Sequence, residues 1–468
     1  MATTAKELQS VVDGDIAHEK IRAGEKLAFA FVIFSNTPYS ALLTTFLLIF
    51  YTDVVGLNPF TVGTLFLIAR VVDGFSDPIM GYLVDRLPRT KFGKFRTVLI
   101  VGAILAGVNY ILVWLGPALA PSGKLAIAYI SYLLLGFTYD LPNIAQNSLI
   151  PVMTADDKAR NTLGLIQGFV AVVGGAFFAI LAPIILEAGN SSLSAYSTLI
   201  LLVVGLVVLT SIIGALGVKE RVMPVQAQTH VALKEYLNIF RQRPFYSYLA
   251  FLMLFTAAFF ISSGVGAYFF TYVIDDLSML GLISLLSLVG LLPGIFLSGI
   301  FSERLGKKKV LVLASVVMMV SLMIRWIDPT SIPLIFTSTI LTGFLFGVFV
   351  PINAVMGADV VDYIEYKLNH RSEPAVASIA SFASKFGSGI AAAIPGYVLG
   401  FAGYVANSQV QPPAVISAII FTAVAAPIIV YAAAGLIFGF GYDLDKELLQ
   451  KVQTTLSERR AAKQAVQP

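Results

Sequence analysis

The stretch "GYLVDRLPRTKFGK" (81–94) recurs later in the chain in a related form. The second copy, "GIFSERLGKKK" (299–309), keeps a glycine, an acid–arginine pair and a leucine at the same spacing. Unrelated loops that are rich in basic residues would explain the arginines, but they would not explain a glycine and an acid at the same spacing. The pattern therefore predicts two similar halves. The matched pairs, each 218 residues apart, are Gly81 with Gly299, Asp85 with Glu303, Arg86 with Arg304 and Leu87 with Leu305.

Both copies lie among long apolar runs. The 468 residues are 57% hydrophobic and only 12% charged, whereas soluble proteins carry roughly 25% charged residues. A run such as "STLILLVVGLVVLTSIIGALGV" (197–218) is long enough for a bilayer helix, which needs about 20 apolar residues. We predict an all-α membrane protein of twelve transmembrane helices in two pseudo-symmetric six-helix halves. The spans are predicted at about 27–51, 59–84, 97–119, 124–151, 162–187, 196–217, 245–275, 279–302, 309–328, 332–362, 374–403 and 413–441.

The longest polar internal segment follows the sixth span and divides the halves. All but four of the 31 lysines and arginines lie in the tails or in even-numbered connections. The positive-inside rule then places both termini in the cytoplasm, in a cell membrane. Because the N-terminus lacks an apolar signal core, the first span is expected to act as its own insertion signal. The predicted regions are an N-terminal half with its tail (1–218), a central loop (219–244), a C-terminal half (245–441) and a C-terminal tail (442–468).

Several other classes of function are not expected. The chain has no cysteine, which excludes disulfides and thiolate metal sites. His18, His230 and His370 lie in tails or loops, and P-loop, HExxH and GxSxG motifs are absent. An enzyme is therefore not expected, and a channel does not need paired acids. We expect no resident cofactor and no nucleic-acid partner, since the basic residues flank a membrane.

The second span carries charges where charge is costly. Arg70, Asp73 and Asp77 share one helical face, and Ser76 is adjacent to it. Each charge at mid-bilayer costs about 2.5–3.5 kcal/mol. One interpretation is that Arg70 neutralises an acid and the cluster joins helices. The other is a hard-oxygen site for Na⁺ or a proton relay, which the surplus of two acids over one arginine favours.

Further charges lie in later spans. Asp140 is on the fourth span, where Pro142 interrupts the backbone hydrogen bonds. Lys385 lies about ten residues into the eleventh span, among small residues that allow close helix packing. At the cytoplasmic helix ends we predict a latch that can break without unfolding the protein. Its predicted residues are Asp85, Arg86, Glu303, Arg304, Asp359 and Asp362.

Four stretches together resemble one family. They are "FYTDVVGLNPFTVGTLFLIARVVDGFSDPIMGYLVD" (50–85), "KFGKFR" (91–96), "ADVVDYIEYKLNHR" (358–371) and "GYVLGFAGYVAN" (396–407). This pattern resembles the glycoside–pentoside–hexuronide:cation symporters of the major facilitator superfamily. The resemblance implies a twelve-helix fold, coupling to Na⁺, Li⁺ or H⁺, and a central sugar site reached alternately from each side. A functional monomer is expected.

The resemblance also implies a cation site. Asp73 and Asp77 match the family's cation-binding carboxylates, and Arg70 matches the arginine before them. Ser76 stands where relatives often have asparagine. Asp140 aligns with a fourth-helix threonine, so an additional carboxylate is expected here, which would favour a proton or tighten metal binding.

The sugar side departs from the family pattern. Thr37 replaces the first-helix aspartate, and Gly168 replaces a fifth-helix arginine, so charged hydrogen bonds to sugar hydroxyls are missing. A sugar, a glycoside or a related small solute remains the expected substrate. The alternative is an amphiphilic cargo such as a lysolipid, because lysophospholipid symporters have a similar "PY" near Thr37. The predicted substrate-binding residues are Thr37, Tyr39, Tyr139, Asn143, Asn147, Gln167 and Lys385.

Overall fold

Helices form nearly all regular structure in the residues that the computed structural model describes, namely 21–222, 239, 241–368, 373–406, 408 and 410–466. Short π-helical turns, Phe50–Val54 and Phe421–Ala425, follow α2 and α13. The helices are α1 Ala23–Phe34, α2 Thr37–Ile49, α3 Pro59–Arg86, α4 Phe95–Leu119, α5 Lys124–Met153, α6 Asp157–Ala188, α7 Leu193–Gly217, α8 Arg243–Tyr272, α9 Met279–Leu305, α10 Lys307–Ile327, α11 Ile332–Leu368, α12 Glu373–Phe401, α13 Pro413–Ile420, α14 Ala426–Gly441 and α15 Lys446–Val466.

Helices occupy every predicted span, with two differences. The span predicted at about 27–51 lies within one candidate crossing, Ala23–Val54, whose helix is interrupted at Ser35 and Asn36 between α1 and α2. The tenth span continues to Leu368, six residues beyond its predicted end, because charged and aromatic residues extend it past the apolar run.

Ten helical segments among the described residues are long and apolar enough to cross a membrane. Joined segments α1–α2 and α13–α14 each count once. Helices α3 and α12 have 28 and 29 residues but are not among the ten. A multi-pass all-α architecture is confirmed, and the count of twelve crossings stays a prediction.

The chain divides into two compact units. The first comprises residues 1–58 and 68–228, and the second comprises 59–67 and 229–468. The first turns of α3 belong to the second unit, where a Cβ at Gly63 would lie 2.9 Å from the carbonyl oxygen of Ala393 in α12. The charged part of α3, from Arg70 onward, belongs to the first unit.

Helix α4 is tied to the end of α7 at one end of the first unit. The Glu220 carboxylate accepts hydrogen bonds from the backbone N–H groups of Lys94 and Arg96, at 3.0 and 2.8 Å. It thereby caps the N-terminus of α4, where negative charge is stabilising. Arg96 in turn donates to the carbonyl oxygens of Ala215 and Leu216 in the last turns of α7. Each charge therefore satisfies free backbone groups of the other helix.

A buried ion pair lies near the same helix ends. Arg221 donates to both carboxylate oxygens of Glu25 in α1, at 2.8 and 2.9 Å. Both side chains are only 6% exposed. Because a buried charge without its partner is costly, this pair fixes α1 against the segment after α7.

In the second unit, α9 and α11 pack backbone against backbone. Glycines four residues apart on each helix make this close approach possible. A Cβ on any of the four would meet a backbone carbonyl oxygen of the opposite helix. The glycines are Gly290, Gly294, Gly343 and Gly347.

The C-terminal tail ends in α15, which packs against α11. Val452 and Leu456 on one face of α15 are buried. Arg459 lies 5.5 Å from the ring centroid of Tyr366 in α11. The tail is thus docked through an apolar face.

Candidate functional site

The charges of α3 form an ion pair within the first unit. Arg70 Nη1 donates to Asp73 Oδ2 at 3.1 Å, and the two side chains are 30% and 25% exposed. The i,i+3 spacing brings them together on one helix face. The pairing engages one carboxylate oxygen of Asp73 and leaves the group accessible.

The other oxygen of Asp73 faces α5. A Cβ added at Gly136 would lie 2.6 Å from Asp73 Oδ1 and 3.6 Å from Ser76 Oγ. Glycine at position 136 is therefore what allows the carboxylate to approach the backbone of α5. Any larger residue would displace it.

Ser76 connects α3 to Asp140. The fully buried Ser76 hydroxyl lies 3.0 Å from Asp140 Oδ2 and 3.2 Å from the backbone oxygen of Asp73. Asp140 is also buried. A serine hydroxyl has one hydrogen, so two full hydrogen bonds form together only when Asp140 is protonated and donates to Ser76. The contact can therefore serve either a proton or a metal cation.

The oxygen atoms that converge here suit a hard cation. Two carboxylates and one hydroxyl are the kind of ligand that such cations prefer. The side chain of Asp77 lies outside the described residues. Among the described residues, no group of three or more His, Cys, Asp or Glu side chains is placed to hold a metal. The described donors of the cluster are the carboxylates of Asp73 and Asp140 and the hydroxyl of Ser76.

Neutral polar residues of α5 bind the break between α1 and α2. Tyr139 Oη donates to the backbone oxygen of Asn36 at 3.1 Å. Asn143 Oδ1 accepts from the amides of Asn36, at 3.3 Å, and Asn147, at 3.2 Å. Three of the predicted substrate residues thus lie on one stripe of α5, at i, i+4 and i+8, beside the break.

The break itself follows from Pro38. Proline lacks the N–H that would bond the carbonyl of Phe34, four residues earlier. Thr37 Oγ1 donates to that carbonyl instead, at 3.0 Å. A Cβ at Gly174 of α6 would lie 2.5 Å from the same hydroxyl oxygen, so α6 passes close by. Thr37 is therefore placed at the break.

The remaining predicted substrate residues are dispersed. Tyr39 is buried, with its ring stacked 4.1 Å from that of Tyr110. Gln167 is half-buried on α6, and a Cβ at its neighbour Gly168 would meet nothing within 4 Å. Lys385 is exposed on α12 of the second unit. The structure therefore gathers Thr37, the α5 stripe and the α3 charges in the first unit.

The predicted latch residues lie at helix ends. Asp359 of α11 accepts a hydrogen bond from Lys307 at the start of α10. Asp362 is half-buried one turn later. Glu303 and Arg304 are exposed at the end of α9. Asp359 thus has a partner within its own unit.

In the first unit, the corresponding positions differ. The Arg86 guanidinium lies 4.2 Å from the ring centroid of Tyr82, one turn earlier on α3. The side chain of Asp85 lies outside the described residues. The role of these residues as a latch stays a prediction.

Sequence reasoning did not identify several residues of this arrangement. Gly136 carries no functional group, and only its position four residues before Asp140 signals that it shares a face with that carboxylate. Asn36 could have been found as a polar residue just before Pro38 in an apolar span. Glu220 and Lys307 stand beside helix ends, where acids and bases commonly act as caps or ion-pair partners, and this position is the signal that could have found them.

Comparison with known proteins assigns the family. The family profile described as MFS/sugar transport protein matches residues 34–446. An isoprimeverose transporter of Lactiplantibacillus pentosus is 30% identical over 94% of this chain and 93% of its own length. A putative glycoside/cation symporter of Escherichia coli is 33% identical over 90% of this chain and 92% of its own length. A glucuronide carrier protein homologue of the same species is 29% identical over 92% of this chain and 94% of its own length.

Solved structures agree at the level of the fold. A bacterial homologue of the human lysosomal transporter Spinster superimposes with a TM-score of 0.67 at 13% identity, over 92% of this chain and 99% of that one. A nucleoside transporter does so with a TM-score of 0.63 at 13% identity, over 89% and 99% of the two chains. The chain therefore belongs to the sugar transport proteins of the major facilitator superfamily, among the glycoside–pentoside–hexuronide symporters, and is a multi-pass membrane transporter rather than an enzyme.

Proposed function

We propose that the protein is a secondary active symporter of a glycoside or related small sugar, coupled to Na⁺ or H⁺ and working by alternating access. We place it in the cell membrane with both termini in the cytoplasm, following the distribution of lysine and arginine. The observation that carries the proposal is the convergence of Asp73, Ser76 and Asp140 beside Gly136. The relatives named as glycoside and isoprimeverose transporters support the substrate class.

The cation would bind at the oxygen cluster of α3 and α5. Arg70 pairs with Asp73, and Ser76 brings the Asp140 carboxylate to the same cluster. Carboxylate and hydroxyl oxygens replace the water that a bound cation loses. A proton satisfies the same site by residing on Asp140 and donating to Ser76. The two ions differ in the number of oxygens that they need.

The sugar would bind along the neighbouring stripe of α5. Tyr139, Asn143 and Asn147 offer both donors and acceptors, which suits sugar hydroxyls. Their present bonds to Asn36 and to one another are neutral hydrogen bonds at 3.1–3.3 Å. Exchange of such bonds for bonds to sugar hydroxyls costs little net free energy. The relatives do not favour a lysolipid cargo.

Uptake into proteoliposomes tests the coupling. We would measure accumulation of radiolabelled isoprimeverose, with a panel of methyl glycosides as competitors, under an imposed Na⁺ or pH gradient. Asp140→Asn should abolish gradient-driven accumulation and retain downhill exchange. Asp275→Asn is the matched control, since Asp275 is exposed in a loop at φ 61°, a conformation that asparagine tolerates. Uptake that does not depend on the Na⁺ gradient or on the pH gradient, and that is unchanged in Asp140→Asn, would refute cation coupling.

A further inference from the structure

A small cavity lies inside the first unit, beside the break between α1 and α2. The space open to the centre of a water-sized sphere is about 10 Å³. Ser35, Asn36, Tyr39 and Ser211 are its polar lining residues, and apolar residues of α4, α5 and α7 complete the wall. A single buried water needs roughly 10–15 Å³ and two to four polar partners. The cavity therefore has the size for one water.

Two of the lining residues have a buried hydroxyl with no hydrogen-bond partner among the described residues. They are Tyr39 and Ser211. Ser211 is 1% exposed on α7, and its neighbour Thr210 bonds back to the carbonyl of Leu206 at 2.7 Å. Ser211 does not make such a bond to its own helix. Because unpaired buried hydroxyls are costly and rare, both call for a partner inside the cavity.

The other polar groups can accept hydrogens. Ser35 Oγ donates its hydrogen to the carbonyl of Val32 at 2.7 Å, which leaves lone pairs on that oxygen. The Asn36 amide donates toward Asn143, so its carbonyl oxygen is an acceptor. Two donors and two acceptors match the four hydrogen bonds of one water molecule.

We propose that the cavity binds one structural water, which accepts from Tyr39 and Ser211 and donates toward Ser35 and Asn36. The water joins the break between α1 and α2 to α7. Tyr39 then acts as a positioning residue that holds the start of α2 and does not contact the transported sugar. The inference is independent of the sugar and of the coupling ion.

Hydroxyl-radical footprinting by X-ray pulses tests the water directly. A bound water yields radicals in place, so Tyr39 should be oxidised although it is buried. After brief mixing with ¹⁸O-water, the oxygen added to Tyr39 should remain mostly ¹⁶O, because the bound water exchanges slowly. Tyr51, equally buried with its hydroxyl donating to Val113 at 2.8 Å, is the control and should stay unmodified. An unmodified Tyr39 in the wild-type protein would overturn the proposal.

A double-mutant cycle provides the second readout. Tyr39→Phe and Ser211→Ala should each raise the unfolded fraction by about threefold in detergent, because each removes one bond to the water. The unfolded fraction of the double variant should rise by less than the product of the two single-variant factors, since both bonds go to the same water molecule. Ser211→Val should fill the cavity and abolish the Tyr39 oxidation. The two hydroxyls share no water if the losses in the free energy of unfolding are strictly additive and Tyr39 is still oxidised in the Ser211→Val protein.

Discussion

Replacement of Gly136 by alanine tests whether the close approach of α5 to Asp73 sets the affinity for the coupling cation. The new Cβ would lie 2.6 Å from Asp73 Oδ1, whereas ordinary contacts begin at 3.4 Å. The carboxylate must therefore move by about 0.8 Å or α5 must retreat. Movement of the carboxylate disturbs its 3.1 Å bond to Arg70, and retreat of α5 disturbs the 3.0 Å contact between Ser76 and Asp140.

The expected loss follows from that displacement. A shift of about 0.8 Å takes a carboxylate oxygen out of hydrogen-bond or ligand distance, since such bonds weaken steeply beyond about 3.2 Å. Disturbance of groups that orient ion ligands typically costs 10–100-fold in affinity. We expect Gly136→Ala to raise the cation concentration for half-maximal uptake by about tenfold, which corresponds to about 1.4 kcal/mol.

The measurement is sugar uptake into proteoliposomes as a function of Na⁺ concentration and of pH. Gly205→Ala in α7 is the matched control, because its Cβ would meet nothing within 4 Å. The maximal rate at saturating cation should change less than the half-saturating concentration. If folded Gly136→Ala protein shows wild-type dependence on both ions, the reasoning that Asp73 and α5 form the cation site fails.

Three stability predictions use thermal or chemical unfolding in detergent. Gly294→Ala should cost about 1–3 kcal/mol, because its Cβ meets the α11 backbone, while Gly299→Ala, with nothing within 4 Å, should be neutral. Glu25→Gln should cost about 3–5 kcal/mol, since it leaves the Arg221 charge buried without its partner; a loss within error would contradict this. Glu220→Ala should cost about 0.5–2 kcal/mol through the lost cap of α4, and unchanged stability would refute the capping role.

Much of the fold was predictable because membrane helices can be identified in a sequence by their length and hydropathy. The fourth span, predicted at about 124–151, is α5 at Lys124–Met153. The break at Ser35 and Asn36 was not predictable in this way. Pro38 alone fits either a kinked or a broken helix, and the bond from Tyr139 to the backbone oxygen of Asn36 joins residues that are 103 apart in sequence.

Only those contacts of the candidate site that follow from spacing within one helix were predictable. The Arg70–Asp73 pair follows from an i,i+3 relation within one helix. The contact of Ser76 with Asp140 joins two helices, and only the family resemblance brought these residues together in advance. The direction of the Tyr39 hydroxyl could not be read from the sequence, because a tyrosine in a span fits a substrate site and a buried core equally well.

Under the proposed function, α5 carries a cation-binding surface and a sugar-binding surface, and this places a physical requirement on coupling. Successive residues on a helix are rotated by about 100°, so Asp140 and Asn143 lie about 60° apart around the axis. Asp140 contacts α3 through Ser76, whereas Asn143 contacts the break through Asn36. A packed helix moves as a body, so a displacement of α5 toward a bound cation must also alter the bonds at the break. Under the proposed function, cation binding therefore affects sugar binding through the movement of one helix. No chain of contacting side chains between the two sites is needed.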